Sequence, residues 1–229
     1  MTTRTPMRRT DTTALDYYLL RAEADDVEAT GLVVEEFVLA DDLSATLLRS
    51  AGWTPADGGW WSSAAYARTV RADRRLRARL AAVDRAAAEA TYQRLGGGTL
   101  PGEAALRDRF HEDLPLSSGA PLRLGAGPDV HRVLFAGELD DRRLAELSAL
   151  LRLDDAPSAT GARPGVVGTG RLRVDGTNLR WDLRHVGGAW CVDVTSEPVA
   201  ADPLRRLLRR LTDLARGQGL LPATIDRLS

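Results

Sequence analysis

Arg171-Leu172-Arg173-Val174-Asp175-Gly176 is followed by Leu179-Arg180-Trp181-Asp182-Leu183-Arg184, then by Gly187-Gly188 and Trp190-Cys191-Val192-Asp193-Val194. Polar and apolar residues alternate in all three runs, and turn-forming Asp-Gly and Gly-Gly pairs separate them. Period-two alternation with tight turns predicts an antiparallel meander with one buried face. Leu172, Val174, Leu179, Trp181, Leu183, Trp190, Val192 and Val194 are expected to face inward. Arg171, Arg173, Arg180, Asp182, Arg184 and Asp193 take the outer face. Asp202-Pro203 then opens a helix whose stripe of Leu204, Leu207, Leu208, Leu211 and Leu214 matches that buried face.

Working back from the meander, Val130 to Ala136 reads as a strand. A helix runs from Asp140 or Asp141 to Leu153. The N-terminal half reads differently. Ala14 to Ala29 fits a helix loosely, and Leu32 to Leu39 is a strand. Leu43 to Ser50 fits a short helix capped by Asp41 or Asp42. Gly52 to Trp61 forms a ribbon around Asp57-Gly58, with Trp53 on one arm and Trp60 and Trp61 on the other. No Gly or Pro interrupts Ser62 to Leu95, which predicts one long helix ending at Gly96-Gly97-Gly98, and Pro101 to Asp113 reads as another. The expected class is therefore α+β, with a mainly helical N-terminal half and a C-terminal meander packed against helices. Residues 1–12 form an expected disordered tail and 117–129 an expected linker between regions 13–116 and 130–229. The order of parts from Leu32 to Leu95 and from Val130 to Gly217 also suggests a duplicated β-α-β-β-α unit.

Composition narrows the function classes. The 229 residues carry a formal net charge of -1, so bulk charge selects no polyanionic partner. There is no lysine, one isoleucine (Ile225) and one asparagine (Asn178), the mark of a GC-rich bacterial genome. Cys191 is the only cysteine, which excludes an intrachain disulfide and a cysteine metal cluster. With no secretory pattern in residues 1–12 and no apolar run long enough to span a membrane, a cytoplasmic location is expected. The glycine runs lack the lysine of a phosphate loop or the third glycine of a dinucleotide loop, so no cofactor is expected. His111, His131 and His185 have no metal-ligand spacing.

Three readings of function follow. In the first, the chain is a non-enzymatic interaction or regulatory protein that uses Trp53, Trp60 and Trp61 to hold a partner protein or a second copy of itself. Adjacent tryptophans on a ribbon fall on opposite faces, so Trp60 and Trp61 cannot both lie on one core face. In the second, the chain binds nucleic acid. Residues 68–79 hold six arginines against Asp73, and Arg68, Arg71, Arg75 and Arg79 share a face of one continuous helix. In the third, it is a small-molecule enzyme. Glu35 and Glu36 interrupt an apolar strand and Asp41 and Asp42 follow at its end, so a carboxylate site forms if these acids meet in a cleft.

Overall fold

The computed structural model describes residues 14–116, 129–155 and 164–228. The expected tail and, apart from Asp129, the expected linker lie outside the described residues. In chain order the N-terminal half contains β1 (Asp16–Arg21), β2 (Ala29–Leu39), β3 (Ala45–Thr54), β4 (Gly59–Ser62), α1 (Ala64–Ala72), α2 (Arg74–Ala78), β5 (Leu80–Val83), α3 (Arg85–Arg94), α4 (Glu103–Arg107) and β6 (Asp113–Pro115). Its strands form an antiparallel six-stranded sheet in the order β4-β3-β2-β1-β5, with β6 also on β3. A mainly helical N-terminal half is thus overturned.

The physical reasons are local. Tyr17 of β1 packs into one apolar cluster and Tyr18 into another, so the strand is buried on both faces and loses its alternation. β3 opens on Ala45-Thr46-Leu47-Leu48-Arg49, whose Ala, Leu and Arg suit a helix, but it lies between β2 and β4 in the sheet, so the expected helix Leu43 to Ser50 is not formed. The expected long helix is cut twice. Asp73 caps the start of α2 by accepting from the Arg75 and Leu76 amides, and Asp84 caps α3 by accepting from Ala87. Between them Leu80–Val83 pairs with β1. The segment Pro101 to Asp113 yields only the five-residue α4 before β6 begins.

The second sheet contains β7 (Val130–Ala136), β8 (Asp154–Asp155), β9 (Val166–Val174), β10 (Thr177–Val186), β11 (Ala189–Glu197) and β12 (Leu221–Leu228), with α5 (Asp141–Leu150) and α6 (Ala201–Gly217). Its order is β12-β7-β11-β10-β9-β8. The meander β9-β10-β11 occupies the alternating stretch, and Trp181 and Trp190 are both buried. Leu172, expected inside, is 40% exposed, while Asp182, Arg184 and Asp193, expected on a wet outer face, are buried. β12 has no counterpart in the sequence reading. The duplicated β-α-β-β-α unit also fails: the residues after Asp41-Asp42 form strand β3, whereas Asp141 starts helix α5.

The largest apolar cluster draws on both halves. Phe37, Leu48 and Leu114 of the first sheet share it with Phe135, Trp181, Leu183 and the α6 leucines. Leu204, Leu207, Leu208 and Leu211 are all buried there, each side chain contributing roughly 1.5–3 kcal/mol.

Candidate functional site

The carboxylates nominated by the sequence are fastened to arginines. Glu35, fully buried on β2, accepts from Arg71 of α1 through both oxygens, at 3.1 and 2.8 Å. Arg71 also donates to the Pro222 and Ala67 carbonyls. Glu36 points to the opposite face and pairs with Arg107 of α4 at 2.8 Å. Asp42 accepts from the Ser44 hydroxyl and amide, at 2.6 and 3.0 Å. Partial burial pushes the Asp42 carboxyl up, but these two bonds and the charges of Arg227 and His131 outweigh it and hold the pKa below the ordinary value. Asp41 is exposed. The four acids do not converge on one cleft.

The arginines nominated as a phosphate face are divided. Arg68 and Arg71 belong to α1, Arg75 to α2, and Arg79 is the cap residue after α2. Arg71 is committed to Glu35, and Arg79 donates to the Arg21 carbonyl at 2.8 Å. Arg68 and Arg75 are exposed. Glu35 and Arg71, assigned by sequence to different chemistries, are partners of each other.

The tryptophan ribbon is where solvent-accessible surface and apolar chemistry coincide. Trp53 and Trp60 are cross-strand partners of β3 and β4, and both rings lie against Tyr92 of α3, at centroid distances of 4.5 and 5.8 Å. Trp61 points to the other face and meets Tyr66 of α1 edge-on at 5.1 Å. Its indole lies across Gly52, where a Cβ would fall 2.0 Å from Cζ2, so only glycine admits it. Trp53 is buried, whereas Trp60 and Trp61 are each half-buried.

An open groove of about 550 Å³ runs beside them, lined by Trp60, Trp61, Tyr66, Leu20 and the turn residues Thr54 and Asp57. Side chains from opposite faces of β4 can line one groove only if it wraps the edge of the sheet. β4 is that edge: among the described strands it pairs only with β3. Ser63 caps α1 by accepting from the Tyr66 amide at 3.1 Å, which sets Tyr66 one turn into the helix facing Trp61. Burial pushes the Tyr66 phenol up to about 12, so it stays neutral as a hydroxyl donor. The sequence reading omitted Leu20 and Tyr66 because it placed both in helices with other faces inward.

Cys191, His131 and His185 are each buried or in contact with a neighbouring group, and His111 is exposed. Cys191 is buried, and burial followed by the Asp193 charge pushes its thiol up, away from the reactive thiolate. His131 Nε2 lies 2.8 Å from the Asp42 carbonyl, and His185 stacks on Trp190 at 4.5 Å. Among the described residues no group of His, Cys, Asp and Glu could hold a metal ion, and no helix is long and apolar enough to cross a membrane.

Comparison with protein families, curated proteins and solved structures finds no match to this chain.

Proposed function

We propose that this chain is a non-enzymatic protein-interaction protein of the bacterial cytoplasm, and that the groove around Trp60 and Trp61 takes an extended, mainly apolar segment of a partner protein. The observation that carries the reading is the coincidence of two half-buried tryptophans with a sheet edge. A strand laid against β4 satisfies main-chain groups at that edge and places alternate side chains against the two indoles. Asp57 is the only charged residue in the lining, which favours an apolar occupant. Tryptophan in such a position typically carries a large share of binding energy.

An enzymatic reading draws less support, because Glu35 and Glu36 are each locked to an arginine. A nucleic-acid reading draws less as well, because the arginines it needs lie on separate elements and Arg71 is internal.

The test is selection from a displayed peptide library against the purified chain, followed by titration of the selected synthetic peptide. Extended apolar peptides are expected to protect tryptophan fluorescence from acrylamide. Trp60→Ala and Trp61→Ala should abolish that binding with circular dichroism unchanged. Failure to enrich any peptide, or binding by both variants as tight as by wild type, overturns the proposal. So does a dimer in sedimentation that Trp60→Ala disperses, since the occupant is then a second copy.

A further inference from the structure

A second cavity, of about 590 Å³, opens where the two halves meet, away from the aromatic groove. It is walled by the end of β1, α2 and β5 on one side and by the end of β7, α5 and the end of α6 on the other. Six arginines line it: Arg21, Arg74, Arg77, Arg142, Arg143 and Arg216. Only three acids do: Asp25, Glu138 and Glu146. Small residues also line it, Ala78, Ala81 and Ala82 with Gly137 and Gly219, and leave room between the arginines.

The pairing of these charges is uneven. Arg74 is matched by Glu138 at 3.1 Å and Arg142 by Glu146 at 2.9 Å. Arg216 turns inward to Asp213 and Asp16. Among the described residues the other three have no carboxylate within hydrogen-bonding distance. Arg21 donates to the Ala24 carbonyl at 3.4 Å. Arg77 donates to the Arg71 carbonyl at 2.7 Å. Arg143 stands 3.9 Å from Asp140. Guanidinium groups from β1, α2 and α5 thus share one cleft; Asp140 offsets Arg143 at ion-pair range, and Asp25 is the lining acid with no arginine partner among the described residues. Guanidinium N–H groups that lack a close carboxylate and converge on a recess offer charged donors to a compact anion.

We propose that this cleft binds a compact, multiply charged anion of the diphosphate class, as carried by nucleotide-sized small molecules, through Arg21, Arg77 and Arg143. The volume lies within the range of small-ligand sites, and guanidinium forks match phosphoryl oxygens. A nucleic-acid duplex fits less well, because the arginines line a recess and Arg68 and Arg75 lie outside its lining. Because the ligand bridges both halves, it stabilises the fold as it binds.

The probe is inorganic pyrophosphate, titrated into the full chain by calorimetry at low and moderate salt, with thermal unfolding in parallel. Saturable binding that weakens with salt and raises the melting temperature is expected. Arg143→Gln and Arg21→Gln should each weaken it about tenfold, the effect of one charged hydrogen bond. Arg173→Gln, on the exposed surface of β9, should leave it unchanged. Thermal unfolding of the free variants checks that each of them folds. Absence of binding at low salt overturns the proposal. So does wild-type affinity in both Arg143→Gln and Arg21→Gln, or binding of a DNA duplex that pyrophosphate fails to displace.

Discussion

In the C-terminal sheet Asp193 receives Arg132 Nε at 2.6 Å, Arg132 Nη2 at 2.8 Å and Arg184 Nη1 at 2.8 Å. In the N-terminal sheet Asp16 lies 2.7 Å from Arg209 and 2.9 Å from Arg216, both on α6. Each is a buried carboxylate between two arginines, yet their chemistry differs. Arg132 stands directly opposite Asp193 on β7 and Arg184 is on the adjacent β10, so sheet register aims their N–H groups at it. Arg216 spends its protons elsewhere: on the Tyr18 hydroxyl at 2.9 Å, the Tyr17 carbonyl at 3.1 Å and Asp213 at 3.0 Å. Asp16 Oδ1 is left with nearby positive charge but no hydrogen bond.

The two carboxyls consequently shift in opposite directions. Burial pushes Asp193 up, but the bonds and charges of Arg132 and Arg184 outweigh it and hold its pKa below the ordinary 3.8. For Asp16 burial exceeds the pull of Arg216 and Arg209, with Asp213 and Glu35 adding to the rise, and its pKa lies above 3.8. Glu35 is the cross-strand neighbour of Asp16 and has a full bidentate partner in Arg71. Charge alone therefore does not settle a buried carboxylate; directed N–H groups do.

Removing a directed partner gives the largest expected effect. Arg71→Ala leaves Glu35 buried without a counter-charge and should cost about 3–5 kcal/mol in urea unfolding. The double variant Glu35→Leu, Arg71→Met should recover most of that loss, because a well-packed apolar pair replaces a buried ion pair at little net cost. If the double variant is as unstable as Arg71→Ala, the pair holds the fold through Pro222 and Ala67 rather than through Glu35.

These contacts explain how much the sequence disclosed. The meander was legible because its polar and apolar residues alternate in sequence, and the apolar set of β10 and β11 shares one cluster with the leucines of α6. β1 and β2 were harder. Tyr17, Tyr18 and the run Leu32 to Phe37 are buried from both sides, so period two disappears, and only the strand character of β2 survived. Asp73 and Asp84 were visible caps inside the supposed long helix, and reading them as such would have exposed the break at Leu80–Val83. For the site, the opposite-face placement of Trp60 and Trp61 followed from adjacency alone. The pairing of Glu35 with Arg71 did not, because it joins residues 36 positions apart whose meeting depends on where α1 packs. The arginine cleft was equally hidden, since Arg21 and Arg143 come together only when β1 and α5 meet.

A medium effect is expected at Asp193. Asp193→Asn keeps one acceptor oxygen and should lose about 2–3 kcal/mol at neutral pH, given the worth of charged hydrogen bonds. The folded pKa is depressed, so the native state favours the ionised form. Its contribution is complete above the unfolded value of 3.8 and is lost as pH falls through the folded pKa. The stability gap between wild type and Asp193→Asn should therefore be constant near neutrality and shrink below about pH 4. A gap that does not narrow on acidification shows that Asp193 acts through shape alone.

The smallest effect is expected at Asp16, and its sign is what separates the two carboxylates. Asp16→Asn removes a charge that no hydrogen bond compensates, while Arg209 and Arg216 retain Asp213 and the Ala14 and Tyr17 carbonyls. The change at neutral pH should stay within about 1 kcal/mol. Here the folded pKa is raised, so between the unfolded value of 3.8 and the folded value the native state binds more protons than the unfolded chain. The contribution of Asp16 is complete below 3.8 and is lost as pH rises through its folded pKa. Wild type should accordingly lose ground to Asp16→Asn as pH rises above about 4, in the direction opposite to the Asp193 pair. Urea unfolding of wild type and both asparagine variants, run across one acidic series, reads the two slopes side by side. Slopes of the same sign mean that Arg209 and Arg216 do hydrogen-bond Asp16 in solution, and that the two carboxylates are equivalent after all.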